Sequence, residues 1–285
     1  MNICLNGKFV PEEQAVVSVL DRGFLYGDGL FEAILVWNGR IFRWEQHLER
    51  LQRGAEFLKL RLSFSPAEMR QFAVRLIAEN GMREGVLRIV LSRGVGQRGY
   101  SPMGANQPTM VLSVHPVPQA PLTEIRRWRL HTTSYQVHPG DPLSQFKTCN
   151  KLVQILARAE AEQAGADEGL LLTPEGMVAE ATSGNIFWIE DGIVLTAPLE
   201  SGVLPGITRS LIFELCERSS IPKGESLTTP ETLKQVEGVF VSLTSWGIIE
   251  ASHLDGSPLP TSVITQKLQE AHTKLLFAET STRNN

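Results

Sequence analysis

The pattern of apolar and polar positions alternates along the chain between strand-like runs and helix-like periods. Short apolar or alternating runs bounded by glycine, proline or asparagine predict strands, and these lie at 3–9 (a hairpin), 33–37, 86–91, 110–115, 126–133, 168–172, 186–189 and 238–243. Apolar residues recurring every third or fourth position predict helices, which begin near His47 and Ser65 and cover 151–164, 209–216 and 260–277. Strands and helices alternate throughout, so the predicted fold class is α/β, or α+β in two domains.

A proline-rich stretch near the middle divides this pattern in two. The chain has 285 residues, enough for two domains of ordinary size. Pro116, Pro118 and Pro121 stiffen the stretch between two predicted strands, as in a semi-rigid linker. We therefore predict a small N-terminal domain over 1–118, a linker over 119–122 and a larger domain over 123–285.

Composition narrows the class of protein. Hydrophobic residues make up 42% of the chain and the formal net charge is -4, which gives no electrostatic basis for nucleic-acid or membrane partners. No basic segment followed by a long apolar run opens the chain, so no secretory signal is expected. The three cysteines, Cys4, Cys149 and Cys216, show no metal-binding spacing. We predict no metal site and a cytoplasmic location.

The stretch from Met177 to Arg209 contains the first candidate chemistry. Glu180 is a lone carboxylate before a hairpin that turns at Asp191-Gly192. Gly206 then precedes a helix whose first N–H groups have no intrahelical partner and suit a phosphate. A carboxylate for a cationic ring nitrogen and amides for a phosphate together describe one ligand, pyridoxal 5′-phosphate.

Two segments of this stretch resemble the signatures of the class IV aminotransferases, a family of fold type IV. They are Glu180-Ala181-Thr182-Ser183-Gly184-Asn185-Ile186-Phe187 and Gly202-Val203-Leu204-Pro205-Gly206-Ile207-Thr208-Arg209. The family includes branched-chain and D-amino-acid aminotransferases and 4-amino-4-deoxychorismate lyase. The resemblance covers nearly the whole chain. It implies a small N-terminal α/β domain, a larger β-barrel-like domain that binds the cofactor, and a homodimer with its site at the domain and subunit boundary.

Lys147 is the predicted catalytic residue. It lies between apolar Phe146 and small Thr148, where burial would favour the neutral amine that forms a Schiff base. The segment Lys147-Thr148-Cys149-Asn150-Lys151-Leu152 matches the family's lysine segment. The resemblance implies a Lys147 aldimine with the cofactor and proton transfer by the same amine. A surface lysine is the alternative.

Further site residues follow from the resemblance. It implies that Glu180 pairs with the ring nitrogen and that Leu204 packs on the ring face. The residues implied for the phosphate are Arg50, Gly206, Ile207, Thr208 and the hydroxyl of Thr244 or Ser245. A solvated helix arginine is the alternative for Arg50. Gln136 stands about where other members carry an arginine beside the cofactor's phenolic oxygen, and either Gln136 or His138 is expected to substitute for that arginine.

Substrate contacts are predicted for Tyr26, Phe31, Arg88 and Arg98. Arg98 lies in a glycine-rich loop, and its guanidinium suits bidentate capture of a carboxylate. In the D-amino-acid aminotransferases a loop at the matching place supplies the group that binds the substrate carboxylate in the neighbouring subunit's site. Arg93 is predicted to be structural or exposed.

These residues predict an aminotransferase that moves an amino group between an amino acid and a 2-oxo acid. One alternative is 4-amino-4-deoxychorismate lyase, which would use Lys147 to release pyruvate and 4-aminobenzoate. Another, from a different class, is a non-catalytic module that only binds the cofactor or a phosphate. The sequence leaves the stereochemistry of the amino donor open.

Overall fold

The computed structural model of the chain describes residues 1–117 and 126–281. The predicted linker 119–122 lies outside the described residues, and the domain boundaries stay a prediction. The described residues form two compact units. The first consists of 1–117, 146–150 and 276–281, and the second of 126–145 and 151–275.

The first unit is built on an antiparallel sheet of six strands in the order β2-β1-β6-β5-β3-β4. These are β1 Asn2–Leu5, β2 Lys8–Pro11, β3 Gly29–Trp37, β4 Arg40–Ile41, β5 Gly85–Ser92 and β6 Thr109–Pro116. Its helices are α1 Arg22–Tyr26, α2 Trp44–Phe57 and α3 Pro66–Glu79. Apolar residues of α2 and α3 pack with those of the sheet into one core.

Local sequence explains several of these elements. The β1–β2 hairpin turns at Asn6 and Gly7, both with positive φ, as a two-residue turn requires. Ser65 accepts from the backbone of Glu68 while the Glu68 side chain returns to Ser65, a capping box that starts α3. The predicted hairpin and the helix at Ser65 are therefore confirmed.

The second unit is a sheet that closes on itself. Its strands are β7 Arg127–Gln136, β8 Glu168–Leu172, β9 Val178–Ala181, β10 Asn185–Glu190, β11 Ile193–Thr196, β12 Lys223–Glu225, β13 Gly238–Leu243, β14 Gly247–Leu254 and β15 Ser257–Pro258. The order is β12-β11-β10-β13-β14-β7-β8-β9, and β9 also pairs with β10. That extra pairing closes a ring of strands, so the predicted barrel-like α/β domain is confirmed.

The helices that accompany this barrel are α4 Leu152–Gln163, α5 Ile207–Arg218, α6 Pro230–Leu233 and α7 Val263–Thr280. The end of α7 is assigned to the first unit. Buried apolar side chains from β7, β8, β10, β13 and β14 fill a common core. Among the described residues, no helix is both long and apolar enough to cross a membrane.

The composition of the glycine-rich stretch 21–32 predicts a loop before the strand at 33–37, but the structure is more regular. It contains α1, and β3 begins at Gly29 rather than at the predicted position 33. Gly29 pairs with Ser92 on β5, and a Cβ at residue 29 would lie 2.6 Å from the carbonyl oxygen of Leu91. Glycine is needed here for close strand packing, which a loop prediction from composition overlooks.

Candidate active site

Lys147 belongs to a short extended segment beside β3. The N–H of Phe31 donates to the carbonyl oxygen of Lys147 at 2.9 Å, and the N–H of Cys149 donates to that of Gly29 at 2.9 Å. Leu30 and Thr148 face each other in an isolated bridge. These contacts fix the backbone on both sides of the predicted catalytic lysine.

The ring of Phe31 brings two further predicted residues together. The Nζ atom of Lys147 lies 4.7 Å from the ring centroid, and the guanidinium carbon of Arg88 lies 4.3 Å from it. Lys147 is half-buried and Arg88 is exposed. Both cations thus contact one aromatic ring, an arrangement that attraction to the ring's π face stabilises.

Glu32, the neighbour of Phe31, anchors a buried charge network. Its Oε1 accepts from Nε of Arg50 at 2.8 Å, its Oε2 accepts from Nη2 of Arg50 at 2.7 Å, and Nδ1 of His47 lies 2.8 Å from Oε2. The exposed fractions are only 1% for Glu32, 2% for His47 and 4% for Arg50. The fork of two hydrogen bonds fixes the plane of the Arg50 guanidinium.

The charges of this network set its protonation. Burial by itself would raise the pKa of Glu32, but the charge and hydrogen bonds of Arg50 and the contact with His47 lower it to about 2. Burial lowers the pKa of His47, and this outweighs the opposite effect of Glu32; the charges of Arg50 and Lys147 lower it further. At neutral pH the network therefore holds a carboxylate, a guanidinium and a neutral imidazole.

Glu32 and His47 were missed by reasoning from the sequence, although a signal exists. Alternate residues of a strand face opposite sides, so Glu32 shares the face of Leu30 and Ile34, which lie in the apolar core. A carboxylate in that position needs a partner. His47 and Arg50 are three apart on α2, the spacing that places both on one helical face.

Tyr26 and Arg98 are connected through the glycine-rich loop after β5. The hydroxyl oxygen of Tyr26 accepts from the N–H of Gly99 at 3.2 Å. Its ring meets that of Tyr100 edge-on, with centroids 5.6 Å apart. Arg98 itself is exposed. The structure therefore places Tyr26 against the loop that carries Arg98.

In the second unit, Glu180 lies on β9 with an exposed fraction of 8%. Its Oε2 accepts from the backbone N–H of Leu204 at 3.0 Å. The carbonyl oxygen of Leu204 accepts from Nδ2 of Asn185 at 2.8 Å, and Asn185 is the cross-strand partner of Glu180. Glu180 and Leu204 are thus brought together as predicted site residues, with the backbone of Leu204 making the contacts.

The start of α5 has the features of an anion site. Gly206 is its N-cap and makes no side-chain capping bond. A Cβ at residue 206 would lie 2.1 Å from Oδ1 of Asn185. Glycine therefore permits the close approach of the backbone to this side chain. Ser242, the register partner of Asn185, has a buried hydroxyl without a hydrogen-bond partner in the described part of the chain. Uncapped amides and an unpartnered hydroxyl suit a phosphate.

The other predicted phosphate residues are distributed around this helix and the β13–β14 turn. Thr208 is buried in the first turn of α5, and Ile207 is half-buried beside it. Thr244 and Ser245 are half-buried in the turn between β13 and β14. Within residues 1–117 and 126–281 we find no hydrogen bond from Thr244 or Ser245 to the α5 start.

Glu168 is a third residue that the sequence did not reveal. It is fully buried and accepts from the hydroxyls of Thr182 and Ser183 and from Nη1 of Arg158 at 3.0 Å. These bonds fix the turn that follows Glu180. Their cause is a contact between β8 and the β9–β10 turn, which periodicity along the chain does not show.

Each unit, taken by itself, contains donors whose chemistry fits part of pyridoxal 5′-phosphate. An amine lies beside an aromatic ring, and a buried carboxylate is held by a backbone amide. Asn185 neighbours both the uncapped helix start and the residue that carries the unpartnered hydroxyl. These donors, the closed barrel and the six-stranded antiparallel sheet are the parts expected of a pyridoxal phosphate enzyme of fold type IV.

Comparison with known proteins identifies the family. The model of the family "Amino-transferase class IV" matches residues 29–254. A putative branched-chain-amino-acid aminotransferase of Methanocaldococcus jannaschii is 35% identical over 95% of this chain and 94% of its own. A D-alanine aminotransferase of Staphylococcus aureus is 32% identical over 96% and 97%. The chain belongs to the class IV aminotransferases.

A solved structure supports the same assignment. A branched-chain amino acid aminotransferase from T.th. with pyridoxamine 5′-phosphate superposes with a TM-score of 0.91, at 28% identity, over 99% of this chain and 95% of that one. The predicted fold type, cofactor and aminotransferase activity are confirmed. These comparisons do not support the lyase alternative better than the aminotransferase.

Proposed function

We propose that Lys147 is the catalytic acid–base of this aminotransferase and that it acts on amino acids with small or apolar side chains. The observation that carries this proposal is the amine of Lys147 held 4.7 Å from the Phe31 ring centroid by backbone bonds on both sides of it. When bound, pyridoxal phosphate supplies an aldehyde that takes up the amino group and a ring that withdraws electrons.

Lys147 has two roles in this proposal. Its Nζ atom would hold the cofactor through the aldehyde carbon until the amino group of the substrate takes its place there. As a neutral amine, Lys147 would then accept the proton from Cα of the amino acid and deliver it to C4′ of the cofactor. The fixed backbone at Phe31 and Cys149 supports this role because a general base must be held within hydrogen-bond reach of both carbons.

Glu180 and the start of α5 are assigned to the cofactor. The carboxylate of Glu180 holds a proton on the ring nitrogen, and the Leu204 N–H at 3.0 Å fixes the orientation of that carboxylate. The amides of Ile207 and Thr208 bind the phosphate where helix amides point outward, and Thr244 and Ser245 contribute hydroxyls. Arg50 binds the same phosphate, its guanidinium oriented by Glu32.

The substrate is bound by residues around Phe31 and the Arg98 loop. Phe31 and Tyr26 offer aromatic surface to an apolar side chain, and the exposed guanidiniums of Arg88 and Arg98 suit carboxylates. The two relatives compared above are named for branched-chain amino acids and for D-alanine. These two kinds of amino acid are the donors that we propose to test first.

A homodimer is supported by exposed apolar side chains in the first unit. Val16, Val19, Phe24, Tyr100 and Met103 have exposed fractions of 75%, 69%, 74%, 87% and 79%. Large exposed apolar residues are typical of association surfaces, and we propose that a second copy of the chain covers them. Size-exclusion chromatography with light scattering should give the mass of a dimer for the wild-type protein and of a monomer for Phe24→Asp. The same mass for both proteins would contradict this proposal.

We place the enzyme in the cytoplasm because no disulfide joins its three cysteines within the described residues. Burial raises the pKa of Cys4 and raises that of Cys216 to about 11, so neither forms a reactive thiolate readily.

The decisive experiment combines labelling with a half-reaction. Borohydride reduction of the protein with pyridoxal phosphate, followed by peptide mapping, should place the label on Lys147. Branched-chain amino acids and D-alanine, each added without an acceptor, should then convert the cofactor absorbance to the amine form. A label on another lysine rejects Lys147. Release of 4-aminobenzoate from aminodeoxychorismate with no half-reaction would assign the lyase activity.

A further inference from the structure

The glycine-rich stretch between β5 and β6 forms a loop with a closed neck. The carbonyl oxygen of Gly94 accepts from the N–H of Arg22 at 2.9 Å. A Cβ at residue 94 would lie 1.8 Å from the carbonyl oxygen of Gln107, so the two ends of the loop touch there. Residues 95–106, including Arg98, project beyond this neck.

Arg22 extends from α1 into the interior of this loop. Its Nη1 donates to the carbonyl oxygens of Gly99 at 2.8 Å and Ser101 at 3.1 Å, and its Nη2 donates to that of Tyr100 at 3.0 Å. One guanidinium therefore binds three consecutive carbonyls. The exposed fraction of Arg22 is 4%, although the residues that it binds are exposed.

Glycine at position 96 makes room for this side chain. A Cβ at residue 96 would lie 2.9 Å from Cδ of Arg22 and 3.0 Å from Cβ of Ala105. The loop thus folds around the aliphatic stem of Arg22, which packs against the backbone at Gly96.

The guanidinium of Arg22 is itself fixed. Its Nε donates to Oδ2 of Asp28 at 2.8 Å, and its Cζ lies 5.0 Å from the ring centroid of Tyr26. Burial would raise the pKa of Asp28, but the hydrogen bonds from Arg93 and Arg22 lower it, so Asp28 is ionised at neutral pH. Asp28 and the three carbonyls together satisfy the buried cation.

We propose that Arg22 is a positioning residue for substrate recognition: it holds residues 99–101 in one conformation and thereby fixes where the Arg98 guanidinium lies. The inference rests on the proposed function, in which Arg98 binds a substrate carboxylate. Ordering an exposed loop when substrate arrives weakens binding. Three charge-assisted hydrogen bonds order it beforehand.

Arg93 offers a matched control. It shares Asp28 with Arg22, through an Nε–Oδ2 distance of 2.8 Å. Its other hydrogen bonds go to the carbonyl oxygens of Leu58 and Lys59, at 2.9 Å and 3.2 Å, outside the Arg98 loop. Arg22→Lys and Arg93→Lys therefore make the same chemical change on the same carboxylate, and only one of them removes the contacts to 99–101.

The test compares these two variants as holoenzymes, by hydrogen exchange and by steady-state kinetics. In Arg22→Lys, amide exchange of residues 97–101 should rise about tenfold, and KM for the amino donor should rise about tenfold with kcat changed less than about twofold. In Arg93→Lys, exchange of 97–101 and KM should stay at wild-type values. Gly96→Ala places a methyl group against Cδ of Arg22. It should raise both the amide exchange of 97–101 and KM, by less than Arg22→Lys does.

Each outcome decides the inference. Unchanged exchange in Arg22→Lys shows that this residue does not hold the loop, and equal effects in Arg93→Lys show that the effect is not specific; either result overturns the proposal. If exchange rises and KM does not, the loop order has no part in recognition and the proposal again fails. Arg98→Gln tests the premise that Arg98 binds a substrate carboxylate. If this variant too leaves KM unchanged, that premise is wrong. If Arg22→Lys does not fold, the Gly96→Ala result decides in its place.

Discussion

The two units build their parts of the proposed active site from different materials. In the first unit, charged side chains hold one another: Glu32 binds Arg50 and His47 in a buried network. In the second, backbone groups dominate: the Leu204 N–H binds Glu180, and the uncapped start of α5 offers its amides. Side chains titrate and amides do not. The first part should therefore respond to charge and pH, and the second to added volume.

The largest effect is expected at Lys147, in the first unit. Lys147→Ala removes the amine that moves the proton and should lower kcat by about 10⁴-fold. Lys8→Ala, an exposed lysine of the same unit, is the control and should keep kcat within about twofold. Stopped-flow absorbance of the half-reaction is the measurement. Substantial turnover by Lys147→Ala would contradict the proposal that Lys147 is the catalytic acid–base.

Two carboxylates test whether the first unit depends on charged side chains and the second on backbone contacts. Glu32→Gln removes the carboxylate that faces the buried Arg50 guanidinium and should lower the free energy of unfolding by about 3–5 kcal/mol. Glu180→Gln keeps an oxygen for the Leu204 N–H and should cost about 1 kcal/mol. Urea unfolding of the cofactor-free proteins compares the two without a contribution from binding. Equal losses would show that the first unit does not depend on its buried charges.

Volume is expected to matter more at the start of α5. Gly206→Ala puts a methyl group 2.1 Å from Oδ1 of Asn185, so the helix start or the Asn185 amide that binds Leu204 must shift. The Kd for pyridoxal phosphate should rise about tenfold. Gly224→Ala is the control, because its Cβ would meet only Cδ2 of Leu195, at 3.4 Å. Fluorescence titration measures both. The same Kd in the two variants would argue against a phosphate at Gly206.

The smallest effect concerns pH. Burial lowers the pKa of His47 in the folded chain, so below about pH 6.5 the unfolded chain binds the proton more readily and stability falls as pH falls. Glu32 acts in the same direction further down: its contribution is present above about pH 4.5 and is lost as pH approaches its folded pKa of about 2.

Urea midpoints at pH 7, 6 and 5 measure the His47 contribution, which is at most about 1.4 kcal/mol per pH unit. His47→Gln should flatten the slope in this range. His115→Gln, which replaces an exposed histidine of the same unit, should keep it. A slope that survives in His47→Gln would assign it to other groups.

The sequence predicted those features whose cause is local. Asp191-Gly192 forms the turn between β10 and β11 with both residues at positive φ, and Gly206 caps α5, because turn and cap chemistry depend on adjacent residues. Strand β9, which carries Glu180, was not predicted as a strand, since its pairing with β8 and β10 is set by the barrel.

The features that escaped prediction depend on partners far apart in the chain. Glu32 meets Arg50 across 18 residues, and Arg22 meets Tyr100 across 78. No periodicity records such pairs. Arg93 was predicted as structural or exposed, but its bonds to Asp28 and to the carbonyl oxygens of Leu58 and Lys59 could not be derived from spacing.

The segment around Lys147 has a consequence for biosynthesis. The edge of β3 at Gly29 and Phe31 is paired by Lys147 and Cys149, which leave the ribosome long after the strands that β3 joins. A nascent chain that has reached β6 thus presents an unfinished sheet edge, the kind of surface that invites aggregation. The stretch that carries the Lys147 amine is also the one that covers this part of the edge, so both events occur in the same step of synthesis.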